Sequence, residues 1–286
     1  MKKQTFLLLG ILFLSSVLVG CHVEMTKSEW ANKYGFEEGE VFDIEIGNYG
    51  FPYINTEING LQIKMMYDTG NMIGISVTKE IAMQSGLNKV DEIVRIDTGG
   101  LFIGKFDVFE DAIVKVFGRE ITGERIYEFF GENIDGLLPP SLFLDYRVTI
   151  DYKNKYMGIS KNKFPENIKQ ANFPLIVNPL QPGLPVIEGV VNGEKVFIML
   201  DTGCSRTCVD EELINRLNLP ENELGYEIKD IRLGSFKFRV NNAKKVSLAG
   251  VSRKYSEPIM LILGSDNISK VVFTVDYPNQ TVIFSK

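Results

Sequence analysis

The chain has 286 residues, a net charge of −6, a pI near 5.1 and a single histidine, His22. That length can bury one large β core or two of ordinary size, and without a basic stripe nucleic acid is not an expected partner. With its only imidazole next to the amino-terminal segment, the folded part cannot assemble a Ser-His-Asp triad, a Cys-His pair or a histidine-based zinc site. Hydrolytic chemistry would have to run on carboxylates, Lys, Tyr, Ser/Thr or Cys. No metal and no other cofactor is expected.

Residues 1–20 place Lys2 and Lys3 before a largely apolar run from Phe6 to Val19. The run is too short for an ordinary spanning helix and reads as an export signal peptide. It ends Leu18-Val19-Gly20-Cys21, which resembles the lipobox of bacterial lipoproteins. The resemblance implies that Cys21 becomes the acylated first residue of a mature chain exported to the bacterial cell envelope. More than one acyl chain there would hold it firmly to a membrane. Residues 21–45 are rich in Glu and Asp and read as a polar tether with little structure, apart from a short helix near Trp30; alternatively, its last residues form an edge strand of the first unit.

From residue 46 the chain is organised by a stretch that occurs twice. Residues 50–70 read GFPYINTEINGLQIKMMYDTG and residues 183–203 read GLPVIEGVVNGEKVFIMLDTG. Superposed without a gap at an offset of 133, they agree at nine of 21 positions; unrelated stretches would agree at about one. Each copy predicts a strand, an Asn-Gly hairpin turn, and a second apolar strand ending in Asp-Thr-Gly.

After Asp68-Thr69-Gly70 the first unit (46–160) predicts a helix over 79–85, ended by Gly86. Strands are predicted over 93–96, 101–103, 106–108 and 112–116. Residues 161–182 hold Pro165, Pro174, Pro179 and Pro182 and read as a linker. The second unit (183–286) predicts a helix over 210–217. The duplication extends beyond the motif: Ile103-Gly104-Lys105-Phe106 matches Leu233-Gly234-Ser235-Phe236, and Asp151-Tyr152 matches Asp276-Tyr277. Whole units are therefore repeated. Cys204 and Cys208 could pair as a disulfide in an oxidising compartment or be two small apolar residues.

Two units, each with an apolar strand ending in Asp-Thr-Gly and a later apolar segment, resemble the aspartic proteases. The short units are most similar to retropepsin-like lobes, here fused in tandem as pepsin fuses its two. The resemblance covers residues 46–286. It implies a mainly β fold of two related β-barrel lobes with a cleft between them. It also implies a catalytic pair, Asp68 and Asp201, that activates water to hydrolyse a peptide or protein substrate. Thr69, Gly70, Thr202, Gly203 and Thr207 would support the catalytic loops, with Thr69 and Thr202 hydrogen-bonded across the interface. One chain carries both acids, so a monomer would suffice. A third Asp-Thr-Gly, at Asp97, falls where this family places a substrate-covering flap; Gly99 and Gly100 are its candidate mobile residues. The alternative is a catalytically silent, peptide-binding lipoprotein on the same fold.

The match departs from the family at several places, mostly in the first unit. Asn71 and Cys204 stand where pepsin-type lobes have Ser or Thr, and Gly74 stands opposite Thr207. Ile262-Leu263-Gly264 becomes Leu137-Leu138-Pro139, with Gly136 as a possible substitute for the missing glycine. No residue matches the flap tyrosine of the pepsins.

Overall fold

The computed structural model describes residues 25–286 except 132 and 254. The export signal, Cys21 and His22 lie outside the described residues. Among the described residues the chain is mainly β, with three sheets.

Each repeated stretch forms the hairpin expected of it. Pro52–Ile58 pairs with Leu61–Tyr67, and Val186–Val191 with Glu194–Asp201. Both turns have positive φ at both central residues (Asn59 49°, Gly60 86°; Asn192 47°, Gly193 92°). Asn and Gly tolerate this conformation, and its twist suits the flanking strands. The first half extends its hairpin into a ten-stranded sheet. The second half makes a seven-stranded sheet in which Val186–Val191 also pairs with Gly225–Leu233, closing it on itself as a barrel.

The third sheet draws on both halves. Its six strands run in the order Val41–Asp43, Tyr156–Ser160, Arg147–Asp151, Val272–Asp276, Thr281–Ser285, Gln170–Pro174. The halves join between Arg147–Asp151 and Val272–Asp276, where the hydroxyls of Thr149 and Thr274 meet at 2.9 Å. The duplicated Asp-Tyr pairs thus end adjacent strands of one sheet.

Two parts of the sequence reading change. The short helix expected near Trp30 is present, but more of the expected tether is folded than that helix alone. Helix α1 (Lys27–Tyr34) is capped by a Thr26/Glu29 box and packs on the six-stranded sheet, and Val41–Asp43 is that sheet's edge strand. Trp30 is fully buried, stacks on Phe36 and donates Nε1–H to Asp151 at 2.9 Å. Buried Arg147 donates to the carbonyls of Tyr34 and Gly35 at the end of α1. The acidic residues that suggested a solvated tether are partly cap partners. The 161–182 linker also contains a strand, Gln170–Pro174, whose pairing with Thr281–Ser285 was hidden because its partner lies over a hundred residues away.

Candidate active site

Asp68 and Asp201 follow the second strands of the two hairpins. Each of these strands is covered by a parallel neighbour, Gly136–Leu138 in the first half and Ile259–Gly264 in the second. A strand hydrogen-bonded on both sides and apolar on both faces leaves its end little freedom. Tyr67 and Leu200, directly before the acids, are fully buried.

The two Asp-Thr-Gly loops meet. Thr69 N–H donates to Thr202 Oγ1 at 3.0 Å, and Thr202 N–H donates to Thr69 Oγ1 at 2.9 Å. Each hydroxyl also donates across the join, Thr69 to Leu200 O at 2.8 Å and Thr202 to Tyr67 O at 2.6 Å. Both threonines are fully buried. These four bonds fix the register of one loop against the other.

The carboxyls are held in matching ways. Asp68 Oδ1 accepts from Gly70 N–H and Asp201 Oδ1 from Gly203 N–H, each at 2.8 Å. Each carboxyl also lies over the glycine of the opposite loop. A Cβ on Gly70 would sit 2.4 Å from Asp201 Oδ2, and one on Gly203 would sit 2.4 Å from Asp68 Oδ1. Glycine is therefore required for approach as well as for the turn. Protein surrounds both acids, yet each keeps partial exposure, so water can reach them.

Burial raises the pKa of Asp68 well above the usual carboxylate range, and the neighbouring charge of Asp201 adds to this. Burial also raises that of Asp201, against the lowering effect of the Gly203 N–H. Two acids this close resist double ionisation, so their titrations are coupled.

The halves differ in what supports each loop. Buried Thr207 donates to Asp266 Oδ1 at 2.9 Å, accepts from Asn267 Nδ2 at 2.9 Å, and braces the Gly264 N–H. In the first half Gly74 takes that place, and Asn71 ties its own loop through Ile73 N–H and Gly74 O. Strand register corrects the expectation for Gly136. Leu138 pairs with Tyr67 as Leu263 pairs with Leu200, so Pro139 holds the place of Gly264. Gly136 lies three residues earlier, against Ser76 O and Met65, and cannot substitute.

The third Asp-Thr-Gly is the tip of a hairpin between Asn88–Ile96 and Phe102–Glu110. The Asp97 carboxylate accepts from Gly99 and Leu101 N–H groups within the turn. Gly100 has φ +88°, and Thr98 O accepts from Gly250 N–H of the second half at 2.8 Å. Gly99 and Gly100 therefore lie where the first half touches residues 247–253 of the second.

Cys204 and Cys208 are free thiols with sulfurs 3.6 Å apart, immediately after the Asp201 loop. Among the described residues no cluster of three or more His, Cys, Asp or Glu could hold a metal ion. No family model matches the sequence.

Sequence reasoning missed two features. Arg95, on the hairpin, donates Nη1–H to Glu128 O at 2.9 Å and stacks over Phe106; burial lowers its pKa, while the charge of Asp68 raises it. A tyrosine layer backs the loops: Tyr67, Tyr152 and Tyr277 are buried, and Tyr277 Oη–H donates to Gly183 O at 3.0 Å. The repeat marked Tyr152 and Tyr277 as equivalent, but gave no sign that they converge.

Proposed function

We propose that the chain is an aspartic endopeptidase of two retropepsin-like lobes, hydrolysing peptide bonds with a water activated by Asp68 and Asp201. One observation carries the reading: equivalent acids of a duplicated unit face each other, each over the other's glycine, with raised pKa values. The ionised member of the pair takes a proton from water, and the oxygen attacks the scissile carbonyl. The protonated member donates a hydrogen bond to the carbonyl oxygen, and the pair then passes a proton to the leaving amine. No covalent intermediate and no imidazole is needed. The hairpin tipped by Gly99 and Gly100 is the flap of this reading, closing over an extended peptide. Exported and acylated on Cys21, the enzyme would act as a monomer at a bacterial envelope membrane.

A second reading is favoured by the first half, where Pro139 and Gly74 replace the glycine and threonine that support Asp201. On it the cleft grips a peptide without cutting. Incubating a mixed peptide library from acid to neutral pH separates the two. Wild-type protein should cut peptides and Asp201→Asn should not. Equal cleavage by both removes the dyad mechanism. No cleavage, with retained peptide binding, leaves the silent module.

A further inference from the structure

Helix α1 and the paired carboxyls lie on opposite faces of the six-stranded sheet. Along Arg147–Asp151, Val148 and Ile150 enter the main core, which includes Tyr67 and Leu200 directly before the acids. Arg147 and Asp151 turn the other way and bond to α1 and its end. Across the join, Phe273, Val275, Val282 and Phe284 take the core side, whereas Val272 and Ile283 pack with Trp30. The chain enters the fold on this outer face, where Met25 N–H donates to Asn154 Oδ1 at 3.3 Å.

A shallow hollow at that entry brings together Met25, Lys33, Lys153, Lys270 and Lys286. Lys153, Lys270 and Lys286 are exposed; Lys33 Nζ donates to the main-chain oxygen of Lys286 at 3.3 Å and Lys270 Nζ to Asn267 Oδ1 at 2.7 Å, and among the described residues none of the four lysines pairs with an Asp or Glu side chain. The one acidic side chain lining the hollow, Asp151, is turned inward and accepts from Trp30 Nε1–H, Asn154 Nδ2–H and two backbone N–H groups. A chain of net charge −6 thus presents a cationic rim where it enters the fold.

We propose that this lysine-rimmed face lies on anionic lipid headgroups, with the paired carboxyls turned away from the bilayer. The inference rests on the proposed acylation of Cys21. Residues 22–24 alone separate Cys21 from Met25, and four Cα steps span at most about 14 Å. An acyl group on Cys21 therefore brings this face, rather than the opposite one, within reach of the headgroups. The lysines complement anionic lipid and supply the second attraction that commonly accompanies a lipid anchor. The cleft then opens to the aqueous side, so the substrate class is a soluble peptide or an exposed loop rather than a bilayer-embedded segment.

The test is hydrogen–deuterium exchange of the full acylated chain on phosphatidylcholine vesicles with and without phosphatidylglycerol. Amides of residues 26–35, 152–156 and 268–272 should slow on the anionic vesicles only, and those of 97–101 should not change. Lys153→Glu with Lys270→Glu, both at exposed positions, should abolish the slowing while the chain stays vesicle-bound. Salt at 1 M, where screening acts within about 3 Å, should also abolish it. Slowing at 97–101, or none on anionic vesicles, overturns the orientation. Mass spectrometry of the same sample reads the acylation separately: an unmodified Cys21 overturns the anchor and this inference with it.

Discussion

Asp201 lies directly over Gly70, with its Oδ2 2.4 Å from where a Cβ on that glycine would be. Gly203 and Asp68 repeat the relationship, so a change in one loop is felt by the acid of the other. Gly70→Ala should displace Asp201, and Gly203→Ala should displace Asp68. Misplacement of a reacting group by about 1 Å can cost on the order of a hundredfold in rate. Each alanine variant should lose about that much kcat/KM on a cleaved peptide while its circular dichroism is retained. Wild-type kcat/KM in both would remove the close approach from the mechanism.

Asp68→Asn and Asp201→Asn should each lower cleavage by at least about a hundredfold, the lower range for general acid–base catalysis. Their effect on stability has a definite sign. Both folded-state carboxyls titrate above the unfolded value of 3.8, so the folded state holds its protons more tightly. The stability this contributes is fully present below that value and is lost as pH rises through the folded pKa values. Asparagine escapes the loss. The Tm of Asp68→Asn relative to wild type should therefore rise from about pH 3 towards neutrality. A difference that is flat or falls with pH would show that the acids are not strained by ionising together.

Thr69→Val or Thr202→Val keeps the shape but deletes two cross-loop bonds, leaving a buried N–H and a buried carbonyl unpaired. Each unpaired buried group costs about 1–3 kcal/mol. Denaturant unfolding should show a loss of roughly 2–4 kcal/mol for each valine variant, largely restored by serine. The double variant should lose less than the sum, because both changes break one network. Strict additivity would argue that the loops do not depend on each other.

Trp30→Ala should destabilise the whole molecule, not just release its amino-terminal helix. Truncating a buried Trp costs about 3–5 kcal/mol, and Asp151 also loses a donor. Trp30→Phe keeps most of the packing but not that bond, so the loss should be nearer 1–2 kcal/mol. Chemical denaturation measures both. An alanine variant within error of wild type would mean that α1 is only loosely held.

Local patterns in the sequence were enough for much of this. The two Asn-Gly hairpins, the strands ending in Asp-Thr-Gly and the helices after them depend on residues a few positions apart, so a linear reading finds them. The hairpin over 88–110 was less legible. Its strands run longer than the predicted pieces, because Lys, Asp and Glu on their open faces interrupt the apolar alternation. The short helix near Trp30 was legible but its burial was not: one tryptophan and one tyrosine in an acidic stretch do not reveal that a sheet edge over a hundred residues later will cover them.

By itself, the sequence determined that the chain is a duplicated β protein with equivalent acids in its two halves and no imidazole to assist them. The resemblance implied that Thr69 and Thr202 would bond across the interface, but tertiary structure alone decided that Pro139 takes the place of Gly264 and that both halves and the amino-terminal segment share one sheet. The physical reason is range. Turn and strand preferences act over a few residues, but register between distant strands is set by the simultaneous pairing and burial of groups that only the folded chain brings together.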